Sequence, residues 1–227
     1  MDTTDHRPRV AAERRERMRT RLLEAALVLA AGKGPEAVTI DAVIAQAQVA
    51  RGSFYKYFDS PAALVQALGI EVSDALIRAM NPLVDPLTDS AERIMVGVRC
   101  VLRLVRQYPT LGGFMVRSGW PAMEGTHAFF TLVGANLAQG IVVGRLAPMH
   151  LDVALSAVAG TLIGAMHAVT SHELPSDFPE QTAAAVLRAL GLAADEAQAL
   201  SNGVLAMPVI DPDSVVGRLM ASPSQAA

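Results

Sequence analysis

Apolar residues recur every three or four positions along most of the chain, which is the spacing of a helix face buried on one side. In residues 13–33 this face consists of Met18, Leu22, Ala25, Ala26 and Leu29. Gly34 and Pro35 end this first helix, because glycine accepts a left-handed cap and proline cannot continue the helix. Since the alternation typical of strands is rare, the pattern predicts an all-α protein.

Two short helices joined by a tight turn follow the first helix. Thr39 begins the second helix, since its hydroxyl oxygen can accept a free backbone N–H. At about nine residues, this helix must pack on the first one to be stable. Residues 47–49 form the turn and residues 51–57 form the third helix. The arrangement predicts a three-helix helix-turn-helix domain at the N-terminus.

A larger helical bundle is predicted after this domain. Ser60 and Pro61 combine a helix cap with a first-turn proline, and they begin a fourth helix that ends near Pro82. Residues 81–90 contain two prolines and two aspartates, which indicates a linker. The further predicted helices are residues 91–107, 109–117, 125–143, 150–172, 178–190 and 195–201, with one of the breaks at residues 119–121.

Charge is distributed unevenly between the two ends of the chain. The net charge of −3 taken alone disfavours nucleic acid as a partner. Residues 1–58, however, carry ten Lys or Arg against seven Asp or Glu, whereas residues 59–227 carry nine against fifteen. Seven arginines lie between Arg7 and Arg21. A basic end on an acidic body indicates that only the N-terminal end meets phosphate.

The residues of the third helix suit the major groove of DNA. Arg51 can pair bidentately with guanine, Ser53 can bond several base edges, and Gly52 leaves room for close approach. The residues suited to phosphate oxygens are Thr39, Tyr55, Lys56 and Tyr57. Hydroxyls and an ammonium fit the rim of the groove, and the N-terminus of a helix favours an anion. Core packing is the alternative for the two tyrosines.

The same segment resembles a known family. The matching residues are Leu22-Leu23-Glu24-Ala25-Ala26, Gly34, Thr39-Ile40, Ala47, Val49, residues 51–58 and Leu64. Over residues 14–66 they are similar to the N-terminal domain of the tetracycline-repressor (TetR/AcrR-type) regulators. The resemblance implies an all-helical homodimer that binds a double-stranded DNA operator and releases it when its C-terminal domain binds a small molecule.

The resemblance also carries a set of DNA contacts onto this sequence. These positions are Thr39, Arg51, Gly52, Ser53, Tyr55, Lys56 and Tyr57. Three departures bear on them: the turn glycine of the family is Gln48, the Ser/Thr cap is Ala50, and a phosphate-contacting lysine is Pro61. Losing the side-chain cap lowers the stability of the third helix by about 1 kcal/mol. The arginine-rich residues 14–21 are a candidate to compensate in DNA binding.

These observations predict four parts in the chain. They are a disordered basic arm at 1–12, a helix-turn-helix DNA-binding domain at 13–60, a helical regulatory and dimerisation domain at 61–202, and an extended C-terminal tail at 203–227. A stripe of small residues predicts the dimer interface, and its members are Ser156, Gly160, Gly164 and Ala168. Such a stripe lets helices of two subunits pair across a two-fold axis. An intramolecular core is the alternative, and the family resemblance favours the dimer.

Large, adaptable side chains near the predicted helix breaks indicate a ligand pocket. The candidate ligand-binding residues are Met115, Trp120, His127 and Phe130. Soft apolar groups with few polar ones suit a small-molecule cavity, and a plain core explains them equally well. Because the surrounding helices carry few charges, the expected effector is uncharged or lipophilic.

Other functional classes lack their sequence signatures. No metal-ligand spacing, nucleophile motif, phosphate-binding loop or dinucleotide fingerprint occurs, so no catalytic residue, metal or cofactor is expected. The main alternative is a constitutive DNA-binding dimer without a ligand, and a helical enzyme with an apolar pocket is a further one.

Two uncharged stretches require a test for membrane insertion. Residues 125–144 and 153–172 are long enough to span a bilayer, but their polar interruptions favour buried helices of a soluble bundle. The charged N-terminus lacks the apolar segment of a signal peptide. The single Cys100 fits a reducing cytosol and is expected to be a small buried residue. A cytoplasmic protein without membrane contact is therefore expected.

Overall fold

Helices make up the regular structure of the chain, as the apolar spacing predicts. The computed structural model describes residues 6–124 and 127–221, and it describes side chains for residues 9–118 and 131–218. The helices in these ranges are α1 (His6–Lys33), α2 (Ile40–Ala47), α3 (Arg51–Phe54), α4 (Pro61–Val84), α5 (Ser90–Gln107), α6 (Pro109–Glu124), α7 (His127–Val142), α8 (Leu151–Ser171), α9 (Phe178–Ala189), α10 (Ala194–Ser201) and α11 (Val215–Ala221), with a 3-10 turn at Pro35–Ala37.

The N-terminal head consists of α2 and α3 packed on the C-terminal half of α1. Thr39 caps α2, because its Oγ1 accepts the N–H of Ala42 at 3.2 Å. Val43 and Phe54 are buried in the same core as Leu22 of α1. The regular part of α3 ends at Phe54, and residues 55–57 form a turn instead of continuing the predicted helix. The run of aromatic residues there has low helix propensity.

The first helix begins seven residues before the predicted start at residue 13. It is helical from His6, so residues 6–12 are not the disordered arm that the sequence analysis predicts. Alanine and arginine in this stretch are strong helix formers. Pro8 lies in the first turn, where its missing N–H would have no helical partner anyway, and Arg9 pairs with Glu13 at 3.2 Å.

In the body, α5 is the central helix and packs against α4, α6, α7, α8 and α9. Its buried apolar residues are Ala91, Ile94, Met95, Val96, Val98, Cys100, Val101, Leu102, Leu104 and Val105. Burial raises the pKa of the Cys100 thiol to about 11, so the thiol is protonated and unreactive at neutral pH. Cys100 is thus the small buried residue that the sequence predicts.

Two prolines lie inside helices, although the sequence predicts an end near Pro82 for α4 and a break at residues 119–121 for α6. α4 continues through Pro82 to Val84, and α6 continues through Pro121 to Glu124. Each proline lies within the last turn of its helix, where a missing backbone hydrogen bond disturbs few following residues. The predicted break at residues 119–121 is therefore helical backbone.

A short C-terminal helix lies where the sequence predicts an extended tail. α11 packs against α1 and α4 of the N-terminal half. Val215 and Val216 are buried, and Nε of Arg218 donates to Oε1 of Glu24 at 2.8 Å. Prolines on both sides of this segment conceal its short apolar pattern. This last described helix thus lies against α1 and α4.

A buried charge cluster joins α5, α9 and the segment after α10. Arg99 has a side chain 2% exposed, and it donates to Oε1 of Glu180 and to the Gly203 carbonyl oxygen, each at 2.8 Å. Arg103 donates to the same carboxylate oxygen and to the Leu205 carbonyl oxygen at 3.0 Å. Burial raises the pKa of Glu180, but the hydrogen bonds from both arginines outweigh it and hold the pKa below its ordinary value.

Glu180→Gln is expected to lower the free energy of unfolding by about 3 kcal/mol, because Arg99 would remain charged and buried without a carboxylate. Urea unfolding at neutral pH measures the change. Glu173→Gln is the control, since Glu173 is exposed and forms no ion pair within the described residues. A loss equal to that of the control would contradict the importance of this cluster.

Glu180→Gln is also expected to change how the stability of the protein depends on pH. Because folding lowers the pKa of Glu180, its contribution to stability is complete above the ordinary carboxyl pKa and is lost as pH falls through the folded value. Below neutral pH the wild-type protein should therefore lose stability more steeply than Glu180→Gln. Equal slopes for the two proteins would show that this carboxyl titrates alike in the folded and unfolded states.

Candidate functional site

The turn from α2 into α3 and the residues after it present an exposed polar surface on the head. The exposed residues of this surface are Arg51, Gly52, Tyr55 and Lys56, and Tyr55 is 52% exposed. Phe54, which lies between them in the sequence, is completely buried. The rings of Phe54 and Tyr55 meet edge to face with centroids 5.7 Å apart. The core therefore supports Tyr55 from one side and leaves half of its surface open to a partner.

Gly52 and Arg51 are both unconstrained by the protein's own core. A Cβ added at Gly52 would meet no protein atom within 4 Å, so internal packing does not require glycine there. Nη1 of Arg51 lies 2.7 Å from Oδ1 of Asp41, and the two side chains are 57% and 77% exposed. An ion pair this exposed contributes about 0–1 kcal/mol, so the guanidinium can exchange Asp41 for another anion.

The remaining predicted DNA contacts are partly engaged within the head. Thr39 is exposed, and although its oxygen caps α2, its hydroxyl proton can still be donated. Thr39 and Arg51 border the same surface groove. Ser53 is half-buried, and Tyr57 packs partly against the hydrophobic core. Of the two tyrosines, only Tyr55 is mainly a surface residue.

The family departures have visible structural consequences. Gln48 adopts the left-handed conformation, with φ 53° and ψ 52°, at the position where the family has glycine. For a residue with a Cβ this conformation is unfavourable by roughly 1–2 kcal/mol. Ala50 provides no side-chain cap for α3. Ser60 caps α4 by accepting the N–H of Ala63 at 3.1 Å, and Pro61 occupies the first helical position.

An apolar cavity of about 170 Å³ lies between α4, α5, α7 and α8 in the body. Its apolar walls include Ile77, Met80, Ile94, Val98, Leu132, Val158 and Leu162. The predicted Met115 is not among its described walls, because Met115 lies on α6 and packs half-buried against the core. The side chains of the other predicted ligand contacts, Trp120, His127 and Phe130, lie outside the described residues.

Four polar side chains also border this cavity, and the sequence pattern gave no sign of them. They are Asn81, Asp85, Arg93 and Asn136. Nε of Arg93 donates to the Leu87 carbonyl oxygen at 2.8 Å, which ties it to the loop before α5. Nδ2 of Asn136 donates to the Ser90 carbonyl oxygen at 3.1 Å, which sets the orientation of its amide. The cavity thus combines an apolar interior with four polar groups, two of which are held by hydrogen bonds.

Two glycines bring α6 into close contact with its neighbours. A Cβ at Gly113 would lie 2.8 Å from the carbonyl oxygen of Ala31 on α1, and one at Gly112 would lie 2.7 Å from Val105 on α5. Nε of Arg117 donates to the same Ala31 oxygen at 2.9 Å. α6 therefore links the head to the body. Sequence spacing could not reveal this role, because the contacted residues on α1 lie far away along the chain.

The predicted stripe of small residues lies on the surface of α8. Ser156, Gly160 and Gly164 are exposed, and a Cβ at either glycine would meet no protein atom within 4 Å. Gln181 and Arg188 of α9 border the same shallow groove. The alternative that these glycines belong to an intramolecular core is therefore excluded. The α8–α9 face is open to another helix.

α8 is also long and apolar enough to cross a membrane, with a mean hydropathy of 1.6. One such helix is weak evidence, because core helices of soluble proteins pass the same test. α8 packs against α5, α6, α7 and α9.

Across the part of the chain that the structure describes, no three His, Cys, Asp or Glu side chains form a group that could hold a metal ion.

Family models match both parts of the chain. Residues 22–68 match the bacterial regulatory proteins of the tetR family, and residues 89–202 match the tetracyclin repressor-like C-terminal domain. The second match alone covers half of the chain, and the first contains all seven predicted DNA contacts.

Individual proteins are similar over shorter lengths. An uncharacterized HTH-type transcriptional regulator of Mycobacterium tuberculosis is 29% identical over 133 residues, which are 59% of this chain and 65% of that protein. The HTH-type transcriptional repressor KstR of Rhodococcus jostii is 37% identical over 101 residues, 44% of this chain and 46% of KstR. The chain thus spans 65% or less of these curated relatives.

A solved structure is similar over nearly the whole chain. RolR in complex with its ligand resorcinol is 28% identical and superposes with a TM-score of 0.68, covering 88% of this chain and 100% of the RolR chain. The likeness therefore extends over the head and the body together.

Proposed function

Because the chain belongs to the tetR family of bacterial regulatory proteins, we propose that it is a DNA-binding transcriptional regulator, a repressor that releases its operator when a small molecule binds. The exposed surface of Arg51, Tyr55 and Lys56 carries this proposal, since a core-supported aromatic beside two exposed cations suits a DNA groove. We assign DNA binding to residues 13–60, with α1 extending to His6, and regulation to residues 61–202. Such a protein works where the DNA lies, in the cytoplasm.

The proposed DNA contacts divide by role. Arg51 and Ser53 contact base edges at the start of α3, and Gly52 lets the backbone approach. The remaining contacts, which hold phosphate oxygens, are Thr39, Tyr55, Lys56 and Tyr57. Since the core already holds part of Tyr57, we assign it only a rim contact.

The regulator acts as a homodimer in this proposal. Gly160 and Gly164 on α8, with Gln181 and Arg188 on α9, form an open face that a second copy can cover. Two α8–α9 pairs would then form a four-helix bundle across a two-fold axis. This symmetry would present two heads to two half-sites of the operator.

The effector is proposed to be a compact, mainly apolar molecule with a hydrogen-bonding group. The cavity of about 170 Å³ is close in size to one of about 150 Å³ that holds benzene. Asn81, Arg93 and Asn136 are available to bond a polar substituent. RolR, whose structure contains resorcinol, supports this class, because a dihydroxybenzene has this size and polarity.

Two structural links could transmit effector binding to the head. α4 borders the cavity with Ile77 and Met80 and begins at Pro61, directly after the head. At about 1.5 Å per residue it is a lever roughly 36 Å long. α6 forms the second link, through the contact of Gly113 and Arg117 with Ala31. A ligand that displaces α4 or α6 would therefore change the spacing of the two heads.

Gly97→Leu is expected to block the effector response while preserving DNA binding. Gly97 borders the cavity, and a Cβ there meets no atom within 4 Å, so leucine would occupy the open space. Resorcinol, used as the probe, should raise the Tm of the wild-type protein and release its DNA, whereas Gly97→Leu should show neither effect.

Gly97→Ala is the matched control for that experiment. Like leucine, alanine has a higher helix propensity than glycine, which stabilises the helix by roughly 1 kcal/mol. Alanine, however, leaves most of the cavity open. The alanine variant should keep the response. A response retained by Gly97→Leu would place the effector elsewhere. If neither resorcinol nor other phenols affect the wild-type protein, the constitutive DNA-binding dimer without a ligand becomes the better account.

A further inference from the structure

The N-terminal half of α1 projects beyond the core of the head. Among the described side chains of α1, the first buried one is Thr20. The preceding helix from residue 6 to residue 19 is roughly 21 Å long at 1.5 Å per residue. The family match begins only at residue 22, so this projection lies outside the matched domain.

The projecting helix lies beside the turn that follows α3. Its residues Val10, Ala11, Arg14, Arg15 and Met18 line one groove together with Lys56 and Tyr57. Val10 and Met18 are half-buried in it, whereas the two arginines are exposed. Both sides of this groove are therefore formed by α1 and by the turn after α3. Arg14, Arg15 and Lys56 thus border the same groove.

Within the described residues, the cations of this groove have no anionic partner. Arg14, Arg15 and Lys56 form no ion pair within the described residues, although Arg9 pairs with Glu13 and Arg19 pairs with Glu71. Like charges that border one groove repel one another. An external row of anions would relieve that repulsion. The phosphate backbone of DNA provides such a row next to the groove that α3 enters.

We propose that Arg14 and Arg15 form, together with Lys56, a second phosphate-binding surface that extends each head's contact along the DNA backbone. This inference rests on the DNA-binding function proposed above. The contact is independent of sequence, because it involves phosphates rather than base edges.

The test is the salt dependence of DNA binding by the full-length protein. A duplex selected from random sequence by the wild-type protein, and an unselected duplex of equal length, serve as probes. The slope of log K against log salt is negative, and each lost phosphate contact reduces its magnitude by about 0.9. Arg14→Ala/Arg15→Ala removes two contacts per head, so the magnitude of the slope for the dimer should decrease by roughly 3–4 on both duplexes.

Two further variants make the result specific. Arg14→Lys/Arg15→Lys keeps both charges and should retain most of the slope. Arg78→Ala removes an exposed arginine of α4 that forms no ion pair within the described residues, and it should leave the slope unchanged. Circular dichroism of each variant checks that α1 remains helical.

The outcomes separate this inference from the proposed function. An unchanged slope in the double alanine variant, with selective binding intact, would overturn the α1 surface and leave the regulator proposal standing. A reduced slope on the unselected duplex without any sequence selection would support the surface and defeat the proposed operator binding. If the wild-type protein binds neither duplex, both proposals fail.

Discussion

Arg51→Ala and Tyr55→Ala are each expected to abolish selective DNA binding without unfolding the head. The side chain of Arg51 is 57% exposed and Tyr55 is 52% exposed, so neither change opens the core. A bidentate contact between arginine and guanine contributes about 1–3 kcal/mol at each half-site. For a dimer with two half-sites, losing Arg51 would raise the Kd for the selected duplex by a factor of between about 30 and more than 10,000.

Fluorescence anisotropy with the selected duplex measures this loss, and circular dichroism and light scattering check the fold and the dimer. Gln46→Ala is the control for an exposed change on α2 outside the proposed contacts. Phe54→Ala is the opposite control, because Phe54 is fully buried and its loss should destabilise the head by about 3–5 kcal/mol. Unfolding by Arg51→Ala or Tyr55→Ala would assign these residues to the core and defeat the proposed interface.

Gly164→Arg is expected to separate the dimer into folded monomers and thereby weaken operator binding about 100-fold or more. The monomer itself has room for the new side chain, because a Cβ at Gly164 meets no protein atom within 4 Å. A two-fold interface would instead bring two arginines into a closely packed helix contact, where their charges are desolvated and repel. The loss of affinity follows because one head would then bind one half-site alone.

Light scattering at micromolar concentration measures the mass of the variant, and circular dichroism measures its helix content. Val142→Arg is the matched control: Val142 is 85% exposed on α7 and does not line the α8–α9 groove, so this variant should remain a dimer. A wild-type monomer, or a dimer that survives Gly164→Arg, would show that this face is not the subunit interface.

Much of the head could be predicted from local sequence patterns. Three of its features each depend on residues that lie within four positions of one another. They are the cap by Thr39, the turn at Gln48 and the start of α4 at Ser60. The stripe around Gly164 was predictable for the same reason, because its members share one face of one helix.

The cavity could not be predicted in this way, since its walls come from four helices that are distant along the chain. Met115 has the right chemistry for a pocket, but α6 places it against the core instead. The tight contact of Gly113 with Ala31 likewise depends on tertiary structure. α11 escaped prediction because its two buried valines are too few to establish a helical period beside several prolines.

The most direct test of the account is the selection of genomic DNA fragments by the purified wild-type protein, repeated in parallel with Tyr55→Ala. We expect the wild-type protein to enrich a small set of fragments that share an inverted repeat, since a two-fold dimer reads two related half-sites. Tyr55→Ala should enrich none of them. If the wild-type protein enriches no shared sequence, or if Tyr55→Ala enriches the same fragments equally well, the surface around α3 does not read DNA and the central claim is wrong.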